Sequence, residues 1–485
     1  MAGKATEVLK LMKDNDCDIL DLKFIDVPGT WQHVALPISE VDDNLFEKGT
    51  GFDGSSVRGF QSIEASDMLL LPHAETAKVD PFEEKTVSII ADIRDPLTAN
   101  HYTRDPRYVT IKAEEYLKST GIGDTSFWGP ELEFFVFDSV QFFQKENEAY
   151  FKVDSDEGIW NSGAETMIDG GPNIGQRPGY KGGYFPAAPI DTMHGIRGEM
   201  VRIMVDQLGF HVEKHHHEVA TGGQGEIDLK YDTMLSMADK VMRYKYVVKN
   251  VAQAYGKVAT FMPKPIYNDN GTGMHTHQSI WKDGKPLFAG NEYAGLSKLA
   301  LNYIGGLIKH GQALMGLCAP TSNSYKRLVP GFEAPTILGL SARNRTAAFR
   351  VPMYDPDNKA AKRVEFRSAD PTCNPYLAFP AMLMAGLDGI ENEIDPGDVL
   401  DEDLFSLPDE EQAKLKQVPN SIENALNALQ DDHEFLLKGD VFTSDLIEAW
   451  ISYKRETEVD QVRTCLLYTS PSPRDATLSR MPSSA

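Results

Sequence analysis

Phe127-Trp-Gly-Pro-Glu-Leu-Glu-Phe-Phe-Val-Phe137 sets two acids, Glu131 and Glu133, one residue apart in an otherwise apolar, aromatic run. Aromatic and β-branched residues favour extended backbone, and side chains at i and i+2 of a strand share a face. Read as a buried strand, the segment aims both carboxylates the same way. Like charges at that spacing repel, and burying them is costly unless a cation compensates. Matching pieces lie further along: Glu218 after the triplet His215-His-His217, Glu226, His275 ending Asn270-Gly-Thr-Gly-Met-His275, and Glu365 in Lys362-Arg-Val-Glu-Phe-Arg367. A set of carboxylates with one or two imidazoles suits Mg²⁺ or Mn²⁺ better than zinc.

Upstream of this strand, residues 3–14 space Val8, Leu9, Leu11 and Met12 as a helix does. Ile19–Val27, Trp31–Leu36 and Val87–Ile93 are strand-like, with the Gly-rich stretch Gly49-Thr-Gly-Phe-Asp-Gly-Ser-Ser-Val-Arg-Gly59 expected as a loop between them. These pieces make a small α+β unit ending near Asp105-Pro106. Downstream, helices are expected around 107–119, 193–209, 232–256, 296–315 and 374–392, with a hairpin turn at Asp283-Gly284. Residues 170–183 read as an ordered Gly-rich loop, and the acidic region 394–462 as helical and surface-like.

The chain has 485 residues, enough for two or three domains or one large α/β unit. Its composition, 41% hydrophobic and 25% charged, is that of a globular protein. A net charge of −24 argues against nucleic acid or an anionic membrane as partner. No apolar run approaches the roughly 18 residues of a membrane span, and the polar N-terminus lacks a signal-peptide layout. Cys17, Cys318, Cys373 and Cys465 show no metal-binding spacing, so a reduced, cytoplasmic location is expected. No P-loop or Gly-x-Gly-x-x-Gly fingerprint is present, which leaves phosphate handling to side chains and metals. The basic cluster Lys326, Arg327, Arg343, Arg345, Arg350, Lys362, Arg363 and Arg367 supplies the complement to the carboxylates. Arginine pairs with phosphate and carboxylate oxygens two at a time, and metals with arginines form a phosphoryl-transfer set.

Cys465–Ala485 stands apart. It can be back-translated to a transposase adapter, an index-sized gap and the flow-cell end of a sequencing library. It is read as translated adapter and set aside from the fold. The expected organisation is thus residues 1–105, residues 106–464 and a non-native tail, 465–485.

Taken together, the motifs resemble type I glutamine synthetase over nearly the whole chain. They include Phe52-Asp-Gly-Ser-Ser56, Gly129-Pro-Glu-Leu-Glu133, His216-His-Glu-Val-Ala-Thr-Gly-Gly-Gln224, Lys264-Pro, Asn270-Gly-Thr-Gly-Met-His-Thr-His277, Asn323-Ser-Tyr-Lys-Arg-Leu-Val-Pro-Gly-Phe-Glu333 and Asn344-Arg345. The resemblance implies an α+β fold: a β-grasp N-terminal domain, then a catalytic domain whose curved antiparallel sheet forms a partial barrel flanked by helices. It implies ATP-dependent ligation of L-glutamate and ammonia through γ-glutamyl phosphate. Glu133, Glu218 and Glu226 match one metal site, and Glu131, His275 and Glu365 the other. Asp53 matches the base, with Tyr184, Ser56 and Glu218 around the ammonium. Arg327, Arg367, Asn270 and Gly271 match the glutamate-holding positions, and Glu333 the residue that closes over the acyl phosphate. Arg345 and Arg350 match groups assisting phosphoryl transfer, and His277 and Arg363 contacts to the nucleotide phosphates.

The family forms two stacked hexamers with sites between neighbours, Asp53 coming from the adjacent chain. If the natural C-terminus is missing, weaker ring stacking is expected. Residues 144–182 resemble the insertion of the β subtype, whereas Phe405 stands where adenylylated members carry tyrosine. A relative acting on a polyamine or another amine is the alternative enzyme, and a catalytically silent binding protein the alternative class. Retention of Asp53, Ser56, Tyr184, Glu218 and every matching metal ligand favours the ammonia-using synthetase over both.

Overall fold

The computed structural model describes residues 3–61, 66–145, 147–330, 332, 334–342, 344–355, 357–401 and 415–464. Glu333, Phe405 and the segment 465–485 lie outside them.

Helix α1 (Lys4–Asp14) opens the N-terminal unit and buries Ala5, Val8 and Met12. Strands β1 (Ile19–Ile25) and β2 (Trp31–Pro37) follow, then helix α2 (Asp43–Lys48), β3 (Thr50–Asp53), β4 (Asp67–Pro72), β5 (Lys78–Val79) and β6 (Thr86–Arg94). They form a sheet in the order β2-β1-β6-β4-β3, with β5 on β6. β1 and β6 run parallel, and Leu20, Leu22, Val87 and Ile89 are fully buried between sheet and helix. The Gly-rich stretch expected as a loop is partly strand. Thr50–Asp53 pairs antiparallel with β4, and a short 3₁₀ turn, Gly54–Ser56, then presents Ser55 and Ser56 to the Asp53 carboxylate.

Helix α3 (Pro106–Thr120) begins the second unit, with Asp105 accepting the Arg107 N–H at its start and Gly121 left-handed at its end. Then come β7 (Thr125–Phe137), the two-stranded hairpin β8 (Ser139–Gln144) and β9 (Ala149–Asp154), helix α4 (His194–Arg202), β10 (Val212–His217), β11 (Gln224–Leu229) and β12 (Asp232–Thr233). Helix α5 (Met234–Ala254), β13 (Val258–Thr260), β14 (Met274–Lys282) and β15 (Lys285–Pro286) follow. The region expected as one helix over 296–315 is two, α6 (Lys298–Lys309) and α7 (Gly311–Cys318), broken at His310. Asp388 and Asp432 each lie 2.9 Å from the ring of His310. Helix α8 (Ser324–Arg327), β16 (Ile337–Ser341), β17 (Ala347–Arg350), β18 (Val364–Phe366) and α9 (Pro375–Glu391) complete the framework.

Ten strands form one sheet in the order β10-β11-β7-β14-β18-β17-β16, with β12 and β13 on β7 and β15 on β14. Its pairs are antiparallel apart from β16 with β17. β7 is the longest strand and lies near the middle, so its two acids face neighbours on both sides. Helices α5 and α9 back the sheet, and Trp128 of β7 stacks on Phe379 of α9 at 5.1 Å. Helices α6 and α9 meet backbone to backbone: a Cβ at Gly306 would lie 2.0 Å from Ala385 O and 2.7 Å from Gly389 N. The later helices Ile422–Asp431 and Ser444–Lys454 are less superficial than expected, burying Leu426, Leu429 and Trp450.

The two units are joined by a buried polar seam. Arg107 of α3 donates to Asp92 of β6 at 2.7 Å and to Asp239 of α5 at 3.0 Å, while the Tyr376 hydroxyl of α9 donates to Asp239 at 2.5 Å. His73 Nε2 lies 2.6 Å from the other Asp92 oxygen. Among the described residues no helix is long and apolar enough to cross a membrane.

Candidate active site

Strand register builds the site. Glu133 pairs with Glu226 across β7 and β11, and Glu131 with Asp228 on that side and His275 of β14 on the other. On β18, Glu365 pairs with His277 of β14 and with Arg350 of β17. One face of the sheet thus runs from carboxylates at β11 and β7, through imidazoles at β14, to guanidinium groups at β17. The face floors a cavity of about 290 Å³ lined by Glu131, Glu133, Glu218, Glu226, His275 and Glu365. All six residues expected as metal ligands therefore meet there.

Their grouping differs in detail from the expected two sets. Ligand atoms of His216, Glu218 and Glu226 lie within 4.8 Å of one another, as do those of Glu131, His277 and Glu365. Glu133 lies beside the first group, its carboxylate accepting from Gly273 N at 2.9 Å and Gln224 Nε2 at 3.1 Å. His275 lies 3.3 Å from Glu131 and 3.9 Å from Glu365.

The electrostatics explain why this face suits cations. Burial, then the charge of Glu218, pushes the Glu133 carboxyl up to about 8. Burial, then Asp228 and Glu131, raises Glu226 well above the usual carboxylate range. Burial acts to raise Glu131 as well, but His277 and His275 outweigh it and hold the acid low. His275 is driven down to about 4 by burial and by Arg367, which leaves a neutral imidazole able to act as a ligand. Clustered carboxylates that resist ionisation for want of positive charge, with neutral imidazole beside them, fit hard divalent cations such as Mg²⁺ or Mn²⁺.

The guanidinium side is equally buried. Glu365 accepts from Arg350 Nε at 2.6 Å and Arg367 Nη1 at 2.5 Å. Arg327 is held by three carbonyls, those of Arg367, Ser368 and Ala369, at 3.0 to 3.2 Å. Asn270 and Gly271 complete this wall, and a Cβ on Gly271 would lie 2.3 Å from Pro263 O and 3.0 Å from Arg327 Cγ. Arg345 and Tyr184 are exposed and line the mouth. His277 and Arg363 are chained at the edge: Arg363 Nε donates to His277 Nδ1 at 3.1 Å, and His277 Nε2 faces Glu131 at 2.9 Å.

Asp53 and Ser56 line no part of this cavity. Both are on the surface of the N-terminal unit, and hydrogen bonds from Ser55 and then Ser56 hold the Asp53 carboxyl below its usual value. Asp53 is therefore ionised and outward-facing.

Several lining residues were not singled out from the sequence as site residues: His216, Gln224, Lys181, Lys214, Phe332 and Tyr354. His216 and Gln224 end a quoted motif, but their role depends on pairing, since His216 sits opposite Glu226. Lys214 meets Asp228 at 2.6 Å, and Lys181 and Lys264 place their ammonium groups 4.5 and 3.8 Å from the centre of the Phe332 ring.

The chain matches the family model described as the glutamine synthetase β-grasp domain over residues 16–96 and that described as the catalytic domain over 103–468. It is 56% identical over 458 residues to a glutamine synthetase of Aquifex aeolicus, covering 94% of this chain and 96% of the relative. A Nostoc glutamine synthetase is 54% identical with the same coverage. A cryo-electron microscopy structure of Plasmodium falciparum glutamine synthetase superposes with a TM-score of 0.87 at 30% identity, over 96% of this chain and 98% of that one. A structure titled as a GmaS/ADP complex gives a TM-score of 0.78 at 28% identity, over 95% and 97%. With one sheet carrying the carboxylates, imidazoles and guanidiniums of the site, and with both domains matched, this chain belongs to the glutamine synthetase family.

Proposed function

We propose that the chain joins L-glutamate and ammonia at the expense of ATP, through γ-glutamyl phosphate. The observation that carries this reading is one cavity holding opposed sets of charge: carboxylates and imidazoles on β7, β11 and β14, and Arg327, Arg345, Arg350 and Arg367 across from them. Glu133, Glu218, Glu226 and His216 would hold one divalent cation, and Glu131, His275, His277 and Glu365 another. Bound there, the cations would supply Lewis-acid polarisation of the γ-phosphate and offset the negative charge of nucleotide and glutamate.

Arg327, Arg367, Asn270 and Gly271 are read as the grip on glutamate, leaving its side-chain carboxylate free. One oxygen of that carboxylate attacks the γ-phosphorus, the bond to the bridging oxygen of ADP breaks, and an acyl phosphate forms. Arg345 and Arg350 are assigned to meet the charge on the transferring oxygens with donors. Ammonium then has to lose a proton, because its lone pair is otherwise occupied. Asp53 is assigned that step, with Tyr184, Ser56 and Glu218 around the cation. The freed lone pair attacks the acyl carbon, the C–O bond to phosphate breaks, and the nitrogen passes a second proton to the departing phosphate, leaving glutamine and inorganic phosphate. Glu333, outside the described residues, is assigned by family resemblance to keeping water from the acyl phosphate.

Asp53 is exposed and lines no part of its own chain's cavity, which supports a site completed by a neighbouring copy of the chain. Two stacked hexamers are the assembly proposed. Phe405 offers no hydroxyl, so no AMP adduct is expected on its peptide after coexpression with an adenylyltransferase, as read by mass spectrometry.

The experiment measures phosphate and glutamine from ATP, Mg²⁺ and glutamate, with ammonium, hydroxylamine, putrescine or no amine. Ammonium-dependent turnover is expected, with a fall of about 10²-fold or more in Asp53→Ala. Turnover with putrescine but not ammonium would shift the assignment to an amine-ligating relative.

A further inference from the structure

Besides Lys181, which lines the cavity, the stretch 144–182 delivers a buried carboxylate, Glu157, to the histidine that precedes Glu218. Glu157 is 1% exposed, as is His217, whose Nε2 lies 2.9 Å from Glu157 Oε2. The other Glu157 oxygen is occupied, accepting from Thr192 N at 2.8 Å and Thr192 Oγ1 at 2.6 Å. On its far side His217 Nδ1 faces two carbonyls, Gly183 O at 2.8 Å and Glu218 O at 2.6 Å. Carbonyl oxygens only accept, so Nδ1 carries the hydrogen and the ring orientation is settled by its partners.

Those two carbonyls belong to segments that carry the pocket. Gly183 precedes Tyr184, and Glu218 is itself a pocket residue. The segments are stitched further by Gly183 N to Val219 O at 2.9 Å and Phe185 N to His217 O at 3.4 Å. No side chain fits at the crossing: a Cβ on Gly183 would lie 2.4 Å from Glu218 O and 2.9 Å from His217 Cε1. The Tyr184 ring stacks on Phe185 at 4.1 Å, and Phe185 meets the His216 ring edge-on at 4.5 Å. Beside those backbone bonds, His217 adds the side-chain bridge between the backbones that carry Tyr184 and Glu218.

Resting on the assignment of Tyr184 and Glu218 to ammonium, we infer that Glu157 and His217 are positioning residues that set the width of the ammonium pocket. Neither touches substrate. Glu157 fixes the imidazole, and the imidazole fixes the two backbones. Ammonium needs its oxygen partners at set positions around a small cation, whereas hydroxylamine is largely uncharged at neutral pH and depends less on them. Loss of the bridge falls on ammonium first.

The test uses the full chain and the variants His217→Ala, His217→Gln, Glu157→Gln and Thr192→Val, with steady-state constants for ammonium, hydroxylamine, glutamate and ATP, and Mn²⁺ binding by equilibrium dialysis. For His217→Ala the ammonium KM is expected to rise about tenfold or more. Constants for glutamate, ATP, hydroxylamine and Mn²⁺ should stay within about twofold. His217→Gln, which keeps a donor toward the carbonyls, should recover part of the loss, and Glu157→Gln and Thr192→Val should shift the same constant less. If His217→Ala does not fold, those three variants decide the question by the same ratio of ammonium to hydroxylamine. Equal loss for both amines, weakened Mn²⁺ binding, or an unmoved ammonium KM would overturn the inference. Wild-type chain without ammonium-dependent turnover would instead overturn the proposed function itself.

Discussion

Gly271 has no room for even one more carbon. A methyl there would press on Pro263 O and on the Arg327 stem, and overpacking of this kind costs about 1–3 kcal/mol. Because Arg327 is tied to three carbonyls, it has nowhere to yield. Gly271→Ala is therefore expected to raise the glutamate KM about tenfold while leaving the ammonium constant nearly unmoved, as steady-state kinetics would read. The acid pair on β7 was legible from sequence because spacing of two on a strand fixes a shared face with no tertiary knowledge. His216, Gln224 and Lys214 were not legible as site residues, because their approach to the acids depends on which strand lies beside which.

Elements follow the same division. Helices α1, α3, α5 and α9 stand close to where the sequence put them, α1 and α3 burying one face and α9 buried on all sides from Pro375 to Gly389. β3 was hidden in a Gly-rich stretch: it has four residues, one of them glycine, and exists because β4 pairs with it. The break between α6 and α7 was hidden for the opposite reason, the apolar pattern running on through His310. The seam joining β6 to α3 and α5 offers a measurable signature. Burial acts to lower the His73 pKa, but the bond to Asp92 outweighs it and raises the folded value above the unfolded one, near 6.5. Its stabilising contribution is thus complete below about pH 6.5 and fades as pH climbs through the higher folded value. His73→Gln should lower Tm by about 2 °C or more at pH 6, with the gap to wild type narrowing toward pH 9 in thermal melts.

The molecule carries a net charge of −24 and gathers some of that charge on one face of one sheet. With Glu133 and Glu226 pushed up by burial and then by their neighbours, cations that bind the folded face and not the unfolded chain must stabilise it. Mg²⁺ or Mn²⁺ at about a hundredfold excess over the dissociation constant would add about 2.7 kcal/mol, raising Tm, and EDTA should reverse the shift. A Tm indifferent to both, in calorimetry without nucleotide, would argue against occupied carboxylate clusters.

The order of these charges along the chain has a consequence during synthesis. Glu131, Glu133, Glu218 and Glu226 all leave the ribosome before Arg327, Arg345, Arg350 and Arg367. A nascent chain with β7, β10 and β11 outside the exit tunnel holds the acidic half of the face with none of these four arginines yet made. The part of the sheet that sets Arg350 opposite Glu365 is complete only once β17 and β18 have been made.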